Sequence, residues 1–163
     1  MKKNLLKELE EFVNGVLDIS GTIALENFRV IRDMTLKGDS SPVTKADVEI
    51  EQYIRTKILE KYPNHNIVGE ELDNVDGSEN VTWYIDPIDG TRSFVAGKHD
   101  FGTLLAVVVN EELIGGVIDC PALGERWTSF HPKQTKVSQA LTQCKAVKNL
   151  KNAVMATTSS HEF

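Results

Sequence analysis

Asp86 and Asp89 stand three apart in "WYIDPIDGT" (residues 83–91), directly after an aromatic and β-branched run. Hard divalent cations take oxygen ligands, and Mg2+ favours one or two carboxylates completed by water and substrate phosphate. Pro87 fixes its own φ and offers no ladder donor, so the strand is expected to stop there. The Ile88 carbonyl, freed from regular pairing, then becomes a further oxygen donor, and Asp86 and Asp89 can face one ion or bridge two. Gly90 permits close backbone approach. Thr91 brings a hydroxyl to the start of a short helix over "TRSFVAG", whose N–H groups would face an anion. Glu70 and Glu71 in "VGEE" end another candidate strand, and Asp47 in "SPVTKAD" supplies a third acidic position. Carboxylates for cations beside a helix start for phosphate describe a metal-dependent phosphatase site, in which two metals orient a water and clamp the attacking and leaving oxygens.

Each feature also has a plainer explanation. Asp89 can cap the helix at 90–96, Asp86-Pro87 can be a turn, and Asp47 fits the capping box of Thr44. Glu70-Glu71 can be a solvated pair, and Lys37 a surface charge. The histidines, His65, His99, His131 and His161, show no ligand spacing and receive no role. Trp83 and Trp127 are expected at strand core positions.

The elements that must carry these residues are legible as patterns. Leu5, Leu9, Phe12, Val16, Ile19 and Ile23 predict a long amphipathic helix running to about residue 32, broken by "KGDSSP". Ile50, Ile54 and Ile58 predict a second helix behind Thr44, ending at "YPNH". "NIVG", "VTWYI", "TLLAVVVN", "LIGGVIDC", "ERWTSF" and "TKVSQ" read as strands, with "EE" a tight hairpin turn. Helices followed by hairpin-linked strands predict an α+β fold: two long helices packed on a largely antiparallel sheet. "NAVMATTSSHEF" reads as a strand and turn. Residues 1–150 are expected to form an α+β metal-binding domain, and 151–163 the start of a second, truncated α/β domain.

The 163 residues carry 24 acids against 18 bases, a net charge of −6, with 40% hydrophobic and 26% charged residues. That suits one soluble domain. No Lys/Arg block suggests a nucleic-acid partner, and no apolar run reaches membrane-spanning length. Cys120 and Cys144 lack metal or disulfide-framework spacing. With no signal-peptide pattern in "MKKNLLKELEEFV", the chain reads as cytoplasmic with reduced thiols.

"SPVTKAD", "IVGEEL" and "WYIDPIDGTRSFVAG", in this order, resemble the inositol monophosphatase family of Mg2+-dependent, lithium-sensitive phosphomonoesterases. The resemblance implies the first half of that family's layered sandwich, with two or three Mg2+ ions in the complete site. It implies Glu70 as a ligand shared by the first and an outer metal, and Asp86 as the bridging ligand. Asp89 becomes a ligand of the second metal, and the Ile88 carbonyl one of the first. Thr91 and Asp47 become the pair that polarises the attacking water. Gly90 and Thr91 N–H groups hold the phosphate, Lys37 lies near the active-site loop, and Glu71 follows the ligand. A small phosphorylated metabolite is the implied partner, and a homodimer is open. "DCPALGERWTS" and "MATTSSHEF" resemble the histidinol-phosphate branch, which puts histidinol phosphate ahead of inositol monophosphate. The family's "W-D" aspartate does not occur in these residues, so the chain is expected to bind Mg2+ weakly and turn over poorly. The alternative expectation is a non-catalytic fragment that binds metal or self-associates.

Overall fold

A 26-residue helix, α1 (Lys2–Asn27), opens a computed structural model that describes residues 2–30, 34–36, 42–131, 134–138, 140–142 and 146–154. The helix stops at Asn27 rather than near residue 32. Arg29 takes a left-handed φ of 60°, which ends a helix, and its guanidinium donates to the Gly97 carbonyl at 3.1 and 3.0 Å. The buried face also differs from the expected stripe. Leu6, Leu9, Val13, Val16, Leu17, Ser20, Ala24 and Asn27 are buried, while Leu5 and Ile19 stand 45% and 48% exposed. At 100° per residue the true face is rotated by roughly 70° from the one the spacing predicts. The apolar band is wider than one stripe, and the sheet and second helix select which part is covered.

Helix α2 (Lys45–Lys61) begins at its capping box as expected. The Thr44 N–H donates to Asp47 Oδ2 at 2.8 Å. Ile50, Ile54 and Ile58 are fully buried. Before it, β1 (Met34–Leu36) and β2 (Pro42–Thr44) pair antiparallel in a small sheet where only a helix-breaking turn was expected. Lys37 lies outside the described residues.

The main sheet has seven strands: β3 (Asn66–Gly69), β4 (Val81–Asp89), β5 (Gly102–Val109), β6 (Glu112–Cys120), β7 (Glu125–His131), β8 (Gln134–Val137) and β9 (Ala140–Thr142). They lie side by side in chain order, with β3 parallel to β4 and every other pair antiparallel. A short helix, α3 (Thr91–Val95), joins β4 to β5. The fold is α+β, as the element order predicts. The β5–β6 turn is Asn110-Glu111, with φ of 48° and 67°, so Asn rather than Gly supplies the left-handed tolerance of a two-residue hairpin. Near the end, Leu150–Asn152 form a 3-10 turn. The strand expected from "NAVM" is absent from its described part, and Met155 onward lies outside the described residues.

Alternation gives the sheet two unlike faces. Trp83, Ile85, Leu105, Val107, Val117 and Phe130 join the helices in one core. Phe130 lies so close over Gly115 that a Cβ there would sit 2.2 Å from its ring. Trp83 donates its indole N–H to His65 Nδ1 at 2.9 Å, and Tyr62 stacks on His65. The opposite face is open. The paired row Asp86–Leu104–Ile118–Trp127 runs across four strands and lines, with Tyr84, Ala106 and Glu70, a concavity of about 1050 Å³. Trp127 is therefore not a core residue: it stands 37% exposed on this face. No helix among the described residues is long and apolar enough to cross a membrane.

Candidate functional site

The strand does not end at Pro87. It continues to Asp89, with the register slipping between Asp86 and Asp89. Asp86 pairs with Leu104, and Asp89 with Gly102, so three steps on β4 match two on β5. That is one extra residue, a β-bulge. In a regular strand, residues three apart face opposite sides. Here the extra residue returns Asp89 to the side of Asp86, since Leu104 and Gly102 are two apart on the partner strand. Pro87 fits because a bulge releases its position from the ladder. Its carbonyl instead accepts from the buried Thr103 hydroxyl at 2.8 Å.

Behind the bulge, Ile88 buries its side chain in the core. Its carbonyl accepts from Thr91 Oγ1 at 2.9 Å, which leaves a second lone pair on that oxygen. Gly90, not Asp89, is the N-cap of α3. Its φ is +82°, and a Cβ would lie 2.8 Å from the Asp100 carbonyl. Both facts call for glycine.

Asp47 is fully buried at the first turn of α2. Its Oδ2 accepts from the Thr44 backbone and hydroxyl, and its Oδ1 lies 3.4 Å from Thr91 Oγ1. Asp47 and Thr91, 44 residues apart in sequence, are thus neighbours. Glu70 follows β3, which runs parallel beside β4, and its carboxyl shares a hydrogen bond with Asp86. Burial pushes the Asp86 carboxyl up to about 8, helped by the Glu70 hydrogen bond and charge and then by Asp89 and Asp47. Asp86 Oδ1 is buried without a hydrogen-bond partner.

The structure therefore joins Glu70 to Asp86 and Asp47 to Thr91, while Asp89 stays exposed at the rim. Among the described residues no three His, Cys, Asp or Glu side chains converge closely enough to hold an ion as they stand. Glu71 contributes its backbone N–H, which donates to Glu51 at 2.8 Å. Glu51, Arg55 and Thr103 belong to none of the motifs that mark the site in the sequence. The available signal is spacing: positions 47, 51 and 55 form an i, i+4, i+8 row flanking Ile50, Ile54 and Ile58.

Glu70 just past β3 and Asp86 on the neighbouring β4 thus lie beside the start of α3, on an α+β sheet. Residues 5–162 match the Inositol monophosphatase family, and the chain belongs to it. It is 38% identical over 161 residues to a protein named bifunctional phosphatase IMPL2, chloroplastic, from Arabidopsis thaliana, covering 96% of this chain and 46% of that protein. It is 41% identical over 107 residues to a histidinol-phosphatase of Chlorobaculum parvum, covering 65% and 41%. Among solved structures, an inositol monophosphatase from Zymomonas mobilis superposes with a TM-score of 0.72 at 31% identity, covering 86% of this chain and 54% of that one. The chain spans about half the length of the curated relatives it matches.

Proposed function

We propose that these residues form the metal-binding half of a Mg2+-dependent phosphomonoesterase site. The observation that carries this reading is Asp86: a partly buried carboxyl held up to about 8, pressed against Glu70, with one oxygen left without a partner. A carboxyl raised by burial and by a neighbouring carboxyl suits a site in which a cation takes the proton's place. Glu70, Asp86, Asp89 and the Ile88 carbonyl would hold the ions, an all-oxygen set suited to Mg2+. When bound, the ions supply positive charge to the phosphoryl oxygens and make water nucleophilic at neutral pH.

The chain's own residues do the rest. Thr91 Oγ1 would take a proton from the attacking water as its own turns from the Ile88 carbonyl, 2.9 Å away, to Asp47 Oδ1, 3.4 Å away. Thr44 holds the other Asp47 oxygen and fixes the carboxylate plane. The Gly90 and Thr91 N–H groups orient the phosphate. The substrate is a small phosphate monoester. Histidinol phosphate is favoured over inositol monophosphate by the "GERW" segment and by the name of the Chlorobaculum relative.

The test is phosphate release from both esters, with and without Mg2+, by the protein as its native gene encodes it. Release should require Mg2+ and fall by at least about 100-fold in Asp86→Asn. Release that ignores Mg2+ or tolerates that change refutes the reading. The open apolar row also favours a second reading, self-association without turnover. A solution mass that stays monomeric with and without Mg2+ removes it.

A further inference from the structure

Glu51 and Arg55 are buried charges, 0% and 5% exposed, outside the site described above. A buried ion pair is by itself a weak stabiliser, because desolvation offsets the attraction. Their hydrogen bonds show another purpose. Glu51 Oε2 accepts from the Glu71 N–H at 2.8 Å, and Oε1 from the Leu72 N–H at 3.2 Å. Arg55 Nε donates to Glu51 Oε1 at 2.7 Å. Its two terminal nitrogens donate to the Leu72 and Asp73 carbonyls at 2.8 and 2.7 Å. The pair thus holds two N–H groups and two carbonyls of one loop. On the other side of Glu70, a Cβ on Gly69 would lie 1.9 Å from Glu51 Oε1 and 2.6 Å from Arg55. The backbone is gripped on both sides of Glu70.

We propose that Glu51 and Arg55 are positioning residues that fix the Glu70 carboxylate against Asp86. The proposal rests on the metal-site reading of Glu70 and Asp86. Asp47, Glu51 and Arg55 repeat every four residues along α2, so they share one side of the helix. A single rigid helix therefore sets Asp47 directly and Glu70 through the loop. A planar guanidinium is needed because it forks to separate acceptors, which an ammonium does not reproduce.

The experiment combines two readouts on the protein at its native length. Mn2+ affinity is measured by electron paramagnetic resonance, and amide hydrogen exchange is followed without metal. Glu51→Gln should expose the Glu71 and Leu72 amides to exchange while the amides of β5 keep their protection. Arg55→Lys should lower Mn2+ affinity about tenfold, the usual effect of losing a residue that orients a ligand. In a Glu70→Gln background, Arg55→Lys should cause no further loss, because both changes act through one carboxylate. Equal losses in both backgrounds overturn the positioning role and leave a general structural one. Undisturbed Glu71 and Leu72 amides in Glu51→Gln overturn the clamp. Mn2+ affinity indifferent to Glu70→Gln and to Asp86→Asn overturns the metal-site reading, and the proposal with it. Loss of affinity in Glu70→Gln but none in Arg55→Lys overturns the proposal alone.

Discussion

Replacing Asp86 by Asn should stabilise the metal-free protein at alkaline pH and abolish its stabilisation by Mg2+. The Asp86 carboxyl is raised from 3.8 to about 8. Between those values the native state binds more protons than the unfolded state, so stability falls as pH rises. Taken in full, that rise is worth about 5 kcal/mol by pH 8. Asp86 is only partly buried, so solvent screening reduces this to about 2 kcal/mol. Asn donates an N–H to Glu70 as the protonated acid does, but never ionises. At about 2–4 °C per kcal/mol for a chain of this size, Asp86→Asn should melt about 4–8 °C above wild type at pH 8 and within about 2 °C at pH 5. With Asp86 as the proposed ligand, Mg2+ would displace its proton, so stabilisation of wild type by Mg2+ should grow from pH 6 to 8. Melting curves at pH 5 and 8, with and without Mg2+, decide the matter. An Asn variant that melts below wild type at pH 8, or gains as much from Mg2+, refutes the reasoning.

His65 is held below the usual imidazole range, chiefly by burial, against the opposing pull of Glu79. Its neutral form is the stabilised one, so its contribution is fully present above about pH 6.5 and is lost as pH falls from there through the lowered folded-state value; denaturation of wild type and His65→Asn from pH 7.5 to 5 should show a slope difference of that sign. Gly90→Ala forces a Cβ within 2.8 Å of the Asp100 carbonyl at a φ of +82°, and should cost about 1–3 kcal/mol, read as a lowered denaturation midpoint. The open sheet face should bind a hydrophobic dye in these 163 residues, and Ile118→Lys, at a half-exposed position, should weaken that binding without lowering the melting temperature.

The features legible in the sequence share a local cause. Thr44 and Asp47 stand three apart, the interval a capping box requires, and Ile50, Ile54 and Ile58 repeat at the helical period. α2 therefore lies where the pattern places it. The errors arise where tertiary context decides. Both faces of the α1 band are apolar enough to be buried, and only the sheet and α2 choose Val13 and Leu17 over Ile19. Pro87 reads as a strand terminator because its missing N–H is a local fact. Its tolerance depends on β5, whose Thr103 hydroxyl takes up the Pro87 carbonyl. Within the site, the acidic residues stand out by type and order. Glu51 and Arg55 do not, because an i, i+4 Glu-Arg pair on a helix is ordinarily a solvated surface pair, and nothing local reveals that this one is buried.

The extra residue at Asp86–Asp89 has a consequence for which mutations the site survives. The separation of the two aspartates is odd, and only the slipped register makes it act as an even one. Chain length there carries information that residue identity does not. Exchanging Ile88 for another apolar side chain leaves both carboxylates on the open face. Deleting it leaves Asp86, Pro87 and the former Asp89 consecutive: regular pairing then puts the two carboxylates two apart on one face, but with no bulge to absorb Pro87 and no Ile88 carbonyl beside Thr91. Inserting one residue while the bulge is kept drives one acid toward the core, and absorbing it by regular pairing moves the second acid a further step along the strand. Relatives of this fold should therefore keep the length of this segment as strictly as its two aspartates.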